Sequence, residues 1–531
     1  MDVAQVAAQV LIDGKWRAAD AEGTFHAENP ATGEPLPLAF PTSRWSDCDL
    51  ALNAATKAAA QLRTIEPAKI AAFLEAYANN IEANAAAIVA AAAEETALPA
   101  TPRLKDVELP RTTNQLRQAA AAVREESWRH ATLDLEKNIR SCFAPIGPVV
   151  VFGPNNFPFA FNGVSGGDFA AAIAAGNPVI AKAHPLHPNT TRLLAEQAFK
   201  AVEQAGLPLA TVQMIYNVSN ETGLKLVSDP RVGAIGFTGS RNAGLHLKRA
   251  AEHAGIPIYV EMSSINPVIF LPGALAERHE QLAQELVDSC LAGSGQFCTS
   301  PNLVLVSETP QTEPFLAQIA KSFNERPAQP LLSAAGRKQL QQGVTALTSA
   351  GAHLVTGGDL APGNGYRYAN TLLRATAAQF LAAPHDLQRE IFGNATLAVT
   401  INNLDELQAI LDLLEGNLTG CIYSAKSGDA KIEDDGIYNT VAPLLREKVG
   451  RLLNDKMPTG VAVSPAMNHG GPYPSTSNPV FTSVGIPAAI TRFAKLECYD
   501  AVRPERLPVI LKDKIANPST WRSINGAWVR G

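Results

Sequence analysis

Short apolar runs alternate with amphipathic segments between residues 149 and 261. The apolar runs are GPVVVFG, NPVIAKA, TVQMIYN, GAIGFTG and IPIYVEM, and segments with helical periodicity separate them. Continuous apolar runs between turn residues are typical of strands buried on both faces. Strands that are joined through helices need right-handed crossovers and a parallel sheet. The pattern therefore predicts a doubly wound α/β domain.

The same alternation returns after residue 265. Its apolar runs are INPVIFL, NLVLVS, GAHLVTG, LAVTINN and TGCIYSA, and the Gly/Pro-rich run PTGVAVSPAMNHGGPYPSTSNPV follows them. This part of the chain predicts a second α/β domain that ends in a long, ordered but irregular loop.

The N-terminal part has a different pattern. Residues 10–40 carry short apolar runs broken by turn residues, which predicts a small strand-rich start, and residues 46–126 are Ala-rich with apolar positions at helical spacing. We interpret these helices as scaffold. Residues 129–149 predict an extended pair of strands.

Composition narrows the function classes. The chain has 531 residues, of which 46% are hydrophobic and 18% charged, with a net charge of −6. It can bury more than one core, and no concentrated basic face indicates a nucleic-acid partner. The most apolar stretch, AAAIVAAAA, is too short for a membrane span. The N-terminus does not resemble a signal peptide, and the six scattered cysteines are typical of free thiols in a reducing compartment, so we predict a cytoplasmic enzyme.

Glycine-rich or polar loops follow three strands of the first sheet: FGPNNFP, AKAHPLHPNT and GFTGSRNAG. Ligands of doubly wound sheets bind at the carboxyl ends of the strands. Gly236, Gly239 and Gly244 lie where a strand gives way to a helix, and Ser240 is placed to cap that helix or bind an anion. Glycines that serve only a tight turn are the alternative.

Cys298, in GSGQFCTSPN, has an unusual setting for a cysteine. Gly293 and Gly295 allow close backbone approach, and the residues after it favour a turn or helix start, which would lower the pKa of the thiol. An inert buried thiol is the alternative. Glu261 directly follows an apolar strand and is a candidate general base, with a structural salt bridge as its alternative. No histidine has an obvious triad setting.

Six motifs in a fixed order resemble the NAD(P)-dependent aldehyde dehydrogenase superfamily along nearly the whole chain. They are GPNNFP, NPVIAK, GFTGS, VEMSSINP, GQFCTS and EIFGN. The resemblance implies a cysteine nucleophile at Cys298, an oxyanion site formed by Asn156 and the Cys298 backbone, and thioester hydrolysis by water that Glu261 activates. A glutamate at 261 also favours release of the free acid over transfer to coenzyme A.

The resemblance further implies a set of cofactor residues. Lys182 and Glu390 would bind the two riboses, Ser240 the pyrophosphate, and Phe392 the nicotinamide side, and the complete predicted set is Lys182, His184, Pro185, Gly236, Gly239, Ser240, Met262, Glu390 and Phe392. NAD-preferring members commonly carry a glutamate where this chain has Pro185. Because that carboxylate repels a 2′-phosphate, we predict that NADP is preferred and NAD is an alternative. Arg241 would add positive charge, or lie solvated at a helix start.

The chain departs from the family pattern beside the site. Asn155 replaces a tryptophan, and Ser263, Ser264 and Ile265 replace two glycines and a lysine. The overall pattern is most similar to bacterial 2-oxoglutarate semialdehyde (2,5-dioxopentanoate) dehydrogenases and related NADP-linked fatty aldehyde dehydrogenases, and we favour the first. Aliphatic or aromatic aldehydes are the alternative substrates.

The substrate pocket is predicted to contain Phe157, Val164, Phe297, Thr299 and His469. His469 lies in HGGPYPSTS, which is interpreted equally well as a rigid loop that shapes the pocket. No metal is predicted, and no arginine can be assigned to a substrate carboxylate.

The resemblance implies three structural units. They are a cofactor domain (1–128 and 150–264), a catalytic domain (265–484) and a small β-rich oligomerisation arm (129–149 with part of 485–531) that would make a homodimer or homotetramer. Two other classes stay open: a cofactor-independent thiol hydrolase or acyltransferase, and a binding protein that retains the fold without catalysis.

Overall fold

The computed structural model describes residues 7–531. Residues 1–6 lie outside the described residues. They belong to the N-terminal segment that, by our sequence prediction, is not a signal peptide. Within residues 7–531, no helix has both the length and the apolar character needed to cross a bilayer.

The strands are numbered along the chain. They are β1 (Val10–Ile12), β2 (Lys15–Arg17), β3 (Ala21–Asn29), β4 (Glu34–Ser43), β5 (Thr132–Asp134), β6 (Ile139–Pro145), β7 (Val149–Phe152), β8 (Val179–Lys182), β9 (Val212–Ile215), β10 (Asn217–Val218), β11 (Ala234–Thr238), β12 (Ile258–Glu261), β13 (Val268–Phe270), β14 (Leu303–Ser307), β15 (His353–Thr356), β16 (Thr371–Thr376), β17 (Ala395–Ile401), β18 (Asn417–Tyr423), β19 (Val449–Asn454), β20 (Ala494–Asp500), β21 (Trp521–Ile524) and β22 (Ala527–Arg530).

The α-helices are numbered in the same way. They are α1 (Trp45–Leu62), α2 (Pro67–Ala83), α3 (Ala85–Thr96), α4 (Leu109–Glu125), α5 (Gly167–Ala174), α6 (Pro188–Ala205), α7 (Asn220–Val227), α8 (Arg241–His253), α9 (Pro272–Leu291), α10 (Thr312–Glu325), α11 (Ala334–Ser349), α12 (Ala377–Ala382), α13 (Pro384–Leu387), α14 (Leu404–Leu413) and α15 (Gly428–Lys448). A π-helix (Ala100–Glu108) leads into α4, and short 3₁₀-helices include Ala292–Gly295 and Ala488–Phe493.

The first sheet has the strand order β12-β11-β7-β8-β9-β1-β2. Five of its strands, β12, β11, β7, β8 and β9, pair in parallel, and the β1–β2 hairpin adds an antiparallel edge. The chain runs outward from β7 to β9 and returns to the other side of β7 as β11 and β12. This reversal opens a crevice at the carboxyl ends of β7 and β11, where ligands of such sheets bind.

The strand register brings three predicted loops to one edge of the first sheet. Phe152, the last residue of β7, pairs with both Lys182 and Phe237, and Thr238 pairs with Glu261. The segments that follow β7, β8, β11 and β12 therefore start at the same level. The four residues of β7 are all buried, as the apolar run predicts.

The second large sheet has the order β15-β16-β17-β14-β13-β18-β19 and is parallel except for the β15 edge. Alternate side chains enter different cores, since Leu303 and Leu305 lie in one apolar cluster and Val304 and Val306 in another. Both faces are thus covered, because successive side chains of a strand point to opposite faces. The two sheets confirm the predicted α/β class with two doubly wound sheets.

Two smaller sheets complete the fold. Strands β10, β4 and β3 form one of them, and β20, β6, β5, β21 and β22 form the other. The second joins residues 132–145 to residues 494–530 and has its own small core around Leu133, Cys142 and Leu511. Its two edge strands, β20 and β22, each pair antiparallel with one neighbouring strand.

Candidate active site

Cys298 lies on a turn that glycines and an asparagine hold in place. Gly295 has φ +68°, and a Cβ there would lie 2.0 Å from the Gly393 carbonyl oxygen, so the close approach requires glycine. Asn266 Nδ2 donates to the carbonyl oxygens of Cys298 (3.0 Å) and Ser300 (2.9 Å). The turn therefore presents the thiol with its backbone fixed.

Asn156 lies across from this turn in the loop after β7. Its buried side chain donates from Nδ2 to the Gln296 carbonyl oxygen at 2.9 Å. A primary amide has two N–H donors, so one remains for a ligand oxygen near the cysteine. The structure thus brings together the two predicted oxyanion donors, which are 142 positions apart in the sequence by subtraction of the two residue numbers.

His469 lies between the cysteine and the glutamate. Its Nε2 atom is 3.3 Å from Cys298 Sγ and 3.1 Å from Glu261 Oε1. The three potential ligand atoms of these residues all lie within 4.8 Å of one another. No histidine had an obvious triad setting in the sequence, because the contact depends on the fold, which brings a distant loop back to the cysteine.

Glu261 is fixed from both sides at the end of β12. Ser483 Oγ donates to its Oε2 atom at 3.1 Å, while Oε1 faces the His469 ring. The side chain is 1% exposed. A buried carboxylate that one hydroxyl holds and that lies close to an imidazole can exchange a proton with a neighbouring group or water.

His469 lies in the irregular segment that follows β19. The backbone of this segment pairs with the end of β12, since Ser475 O accepts from Met262 N (2.8 Å) and Ser477 N donates to Val260 O (3.0 Å). A Cβ on Gly470 would lie 2.0 Å from the Phe481 carbonyl oxygen. This loop is thus ordered by strand-like pairing and tight glycine contacts, and it places His469 beside the thiol.

The thiol of Cys298 is not activated in the way the sequence predicted. No helix starts after it; the residues form a turn. Burial raises the pKa of Cys298 well above its ordinary value, and the Glu261 carboxylate raises it further. The guanidinium groups of Arg111 and Arg451 act in the opposite direction. A thiol with a raised pKa needs a base to take its proton, and His469 is in contact with it.

A small cavity of about 90 Å³ opens beside Cys298. Of the predicted pocket residues, Phe157, Phe297 and Thr299 line it, and His469 contacts the thiol. Val164 does not belong to this wall, because it is fully buried in the core of the first domain. The cavity is also lined by residues that the sequence did not suggest: Arg103, Val107, Glu108, Arg111, Phe161, Gly460 and Val461.

A larger cavity of about 470 Å³ lies at the crevice of the first sheet. Phe152 and Phe237 line it together with Lys182 and residues from the starts of α7 and α8. Burial lowers the pKa of Lys182 to about 8. His184 and Pro185 follow Lys182 in the chain but lie outside the lining among the described residues, and the two imidazole rings of His184 and His187 stack at 5.4 Å instead.

The glycine turn after β11 combines a cap with packing. Ser240 is the N-cap of α8 and accepts from Ala243 N at 3.4 Å. Gly236 lies inside β11, and a Cβ there would lie 2.6 Å from Asp168 Oδ2; a Cβ on Gly239 would meet the Phe237 ring at 2.8 Å. Met262 packs against Gly244 of α8. Packing thus gives a structural reason for Gly236, whereas Ser240 faces solvent at the helix start.

Glu390 lines a separate polar cavity of about 230 Å³ together with Ser263, Ser264 and Arg241. Burial raises the pKa of Glu390, and it accepts from Ser264 N at 3.4 Å. Arg241 forms a 2.8 Å ion pair with Glu415, so its charge is already matched. Phe392, two residues after Glu390, is partly exposed.

Comparison with known proteins shows to which family the chain belongs. The model of the aldehyde dehydrogenase family matches residues 16–432. The chain belongs to the aldehyde dehydrogenase family. As the motifs predicted, it is an oxidoreductase that oxidises an aldehyde to the acid with NAD(P).

Two curated relatives match this aldehyde dehydrogenase over almost its full length. One is alpha-ketoglutaric semialdehyde dehydrogenase 2 of Azospirillum brasilense, which is 38% identical over 97% of this chain and 98% of that protein. The other is alpha-ketoglutaric semialdehyde dehydrogenase of Acinetobacter baylyi, which is 34% identical over the same shares of the two chains, 97% and 98%.

Solved structures support the fold. Lactaldehyde dehydrogenase of Escherichia coli has a TM-score of 0.79 at 21% identity, covering 93% of this chain and 98% of that one. An aldehyde dehydrogenase C mutant of Pseudomonas syringae, in complex with NAD⁺ and octanal, has a TM-score of 0.79 at 20% identity, covering 95% and 99%. The predicted fold class is confirmed.

The other cysteines of this aldehyde dehydrogenase have different settings. All six are free thiols. Burial raises the pKa of Cys48, Cys290 and Cys421 to about 12, and no described histidine is recorded in contact with these three. Of the described cysteines, Cys298 is the one that lines a cavity beside an imidazole.

Proposed function

We propose that this aldehyde dehydrogenase oxidises 2,5-dioxopentanoate to 2-oxoglutarate. The observation that carries the proposal is that Cys298 lines a cavity of about 90 Å³ shared with phenylalanine and arginine side chains. Pockets for drug-sized ligands are several times larger, roughly 300–1,000 Å³. A short, anionic substrate therefore fits this site better than a long aliphatic aldehyde, and both full-length relatives carry the name of such an activity.

The first chemical step uses Cys298, His469 and Asn156. We propose that His469 Nε2 takes the thiol proton over the 3.3 Å contact, so that Sγ attacks the aldehyde carbon and forms the C–S bond. The former carbonyl oxygen becomes an oxyanion, and Asn156 Nδ2 and the Cys298 backbone N–H donate to it. Bound NAD(P) supplies the acceptor for the hydride of the former aldehyde carbon. The substrate is then held on Cys298 as a thioester.

The second step uses Glu261. We propose that its carboxylate removes a proton from water, which attacks the thioester carbon. The C–S bond then breaks, the Cys298 thiolate takes back the proton that His469 holds, the acid leaves, and Glu261 releases its proton to solvent. Burial and the Ser483 hydrogen bond hold the carboxylate in place. Across both steps, the aldehyde, water and NAD(P)⁺ become the acid, NAD(P)H and a proton.

We propose that the 470 Å³ cavity holds the adenosine end of the cofactor, with NADP preferred and NAD accepted. Its described lining contains no carboxylate, and Lys182 carries the buried amino group that a 2′-phosphate would neutralise. The start of α8, capped by Ser240, offers backbone N–H groups to the pyrophosphate. Glu390, in the polar cavity, remains the candidate for the second ribose, with Phe392 beside it. No metal is part of the proposed chemistry.

We propose that the five-stranded arm joins copies into a homodimer or homotetramer. Leu496 on one edge strand is 63% exposed, and Trp528 on the other is 60% exposed. Unpaired edge strands with apolar side chains are ready to pair with another chain. Light scattering that gives a monomeric mass at micromolar concentration would contradict this. The six free thiols fit the cytoplasm that we propose as its location.

A substrate series tests the proposed function. We expect 2,5-dioxopentanoate to give the highest kcat/KM among that compound, succinic semialdehyde, dodecanal and benzaldehyde, each measured with NADP and NAD. One 2-oxoglutarate should form for each reduced cofactor. Dodecanal or benzaldehyde as the best substrate would overturn the proposal.

The Cys298–His469 contact also favours a second activity, ester hydrolysis without cofactor, because a thiol with a neighbouring imidazole and carboxylate is the arrangement of thiol hydrolases. p-Nitrophenyl acetate without nucleotide measures it. Faster turnover of the ester than of any aldehyde would make this the main function.

A further inference from the structure

Arg111 points a guanidinium group at the cavity beside Cys298. It lies in the first turns of α4, on a segment whose pattern predicted only scaffold, and it lines the cavity with Cys298. Both terminal nitrogens, Nη1 and Nη2, are buried and have no hydrogen-bond partner among the described residues. Unmatched buried charge is costly, so this group is poised to bind an anion.

The neighbouring arginine is already occupied. Arg103 forms an ion pair with Glu108, and its Nη2 donates to Asn156 O at 3.1 Å. Glu108 Oε1 also accepts from Phe159 N (2.8 Å) and Ala160 N (3.0 Å). The charge of Glu108 is thus shared between Arg103 and two backbone donors. Arg111 remains as the unmatched positive charge of the lining.

The side chain of Arg111 is held so that its free nitrogens keep their direction. Nε donates to the Val461 carbonyl oxygen at 3.1 Å, and the guanidinium lies 4.8 Å from the Phe161 ring centroid and 5.9 Å from that of Phe157. One edge of the fork is therefore anchored, and the aromatic faces steady it. The edge formed by Nη1 and Nη2 matches the two oxygens of a carboxylate.

We propose that Arg111 binds the carboxylate of the substrate and selects short aldehydes that carry an anionic group at the end opposite the aldehyde. The inference rests on the proposed function, because it assigns the recognition of 2,5-dioxopentanoate to one side chain. The aldehyde carbon lies at Cys298 and the carboxylate at Arg111, across a cavity whose lining includes the rings of Phe157, Phe161 and Phe297. Burial lowers the pKa of Arg111 to about 10, which still leaves it protonated near neutral pH.

A structural role is the competing explanation. Arginines that serve packing usually place their terminal nitrogens against carbonyl oxygens or carboxylates, as Arg522 does with the Lys512 carbonyl oxygen at 2.6 Å. Arg111 has such a contact through Nε alone. The arrangement is that of a side chain that binds a ligand rather than one that supports the fold.

Substitution with matched substrates separates these explanations. The variants are Arg111→Met and Arg111→Lys, with Arg117→Gln as control, since Arg117 lies on the same helix but forms a surface ion pair with Glu82. The substrates are 2,5-dioxopentanoate and the neutral five-carbon aldehyde pentanal. We expect Arg111→Met to lower kcat/KM for 2,5-dioxopentanoate by at least about 100-fold, mainly through KM. The loss for pentanal should be much smaller and should appear in kcat, because removal of the guanidinium raises the pKa of Cys298 for both substrates alike.

Arg111→Lys keeps the charge but loses the fork, so we expect a loss of about tenfold, again confined to the anionic substrate. Glutarate should inhibit pentanal oxidation by the wild type and by Arg117→Gln, and inhibit Arg111→Met far more weakly. This readout does not depend on turnover of the anionic aldehyde.

The outcomes distinguish the two proposals. If the wild type shows no preference for 2,5-dioxopentanoate over pentanal, the proposed substrate and the inference both fail. If the wild type shows that preference and the Arg111 variants keep it, or lose both substrates equally, the inference fails while the proposed function stands.

Discussion

The Nε2 atom of His469 lies 3.3 Å from the Sγ atom of Cys298, and the same nitrogen lies 3.1 Å from Glu261. Because burial raises the pKa of the thiol, the free enzyme holds a protonated cysteine near neutral pH. The imidazole is the group in direct contact that can accept this proton. We therefore propose His469 as the acceptor of the thiol proton.

Replacing His469 by Gln should slow formation of the thioester. The raised pKa of Cys298 means that the thiolate fraction is small at neutral pH and grows as the pH rises. We expect the pre-steady-state burst of reduced cofactor at pH 7.5 to slow by roughly 100-fold, and to recover steadily towards pH 10. Stopped-flow absorbance measures the burst, and Cys298→Ala, which cannot form the bond, is the control. An unchanged burst at pH 7.5 would show that His469 is not the proton acceptor.

Replacing Glu261 by Gln should spare the burst and slow the steady state by roughly 100-fold or more. The reason is that the proposed role of this carboxylate comes after the hydride has left. If burst and steady state fall together, Glu261 acts instead through its 3.1 Å contact with His469.

Replacing Lys182 by Met should weaken NADP more than NAD. Lys182 lines the 470 Å³ cavity, and its lowered pKa has burial as its cause, which indicates an unmatched amino group. We expect KM for NADP to rise by roughly 10- to 100-fold and KM for NAD by less. Lys200→Met, at an exposed position of α6, is the matched control. Equal effects on both cofactors would separate Lys182 from phosphate recognition.

The local pattern of apolar residues was enough to predict much of the fold. The apolar runs of β7, β8, β9, β11 and β12 carry their own signal, since strands covered on both faces need continuous apolar sequence. Strands β16 (TLLRAT) and β19 (VGRLLN) were not predicted, because charged residues interrupt their runs. Motif order predicted Cys298, Glu261 and Asn156 as site residues, and the structure brings all three close together.

The sequence did not predict that His469 contacts Cys298, or that charged residues from the N-terminal helices line the cavity. His469 was predicted as a pocket residue or as part of a rigid loop, and its contact with Cys298 depends on strand-like pairing of that loop with β12. Arg103, Glu108 and Arg111 lie in an otherwise amphipathic helical segment, where a charged residue normally indicates a solvent-facing side. Only tertiary packing shows that these charges point inward. Val164 was predicted to line the pocket but packs in the core. An apolar residue near a site motif is compatible with either position, so the sequence does not distinguish them.

Replacing Gly236 by Ala tests whether this glycine of the turn motif serves the cofactor or the fold. A Cβ at 236 would lie 2.6 Å from Asp168 Oδ2, and Asp168 forms a buried 2.8 Å ion pair with Arg492. Displacing that carboxylate would disturb the pair, so we expect a loss of roughly 2–4 kcal/mol of folding stability and a lower Tm, with KM for NADP unchanged in the folded fraction.

The matched control is Gly436→Ala, because Gly436 lies within α15 and a Cβ there meets nothing within 4 Å. Since alanine is the better helix former by about 1 kcal/mol, this variant should keep or raise the Tm. Calorimetry on both variants, with and without NADP, gives the comparison. A normal Tm for Gly236→Ala together with a raised KM for NADP would return Gly236 to the cofactor site, and would mean that the Asp168–Arg492 pair can move aside at little cost.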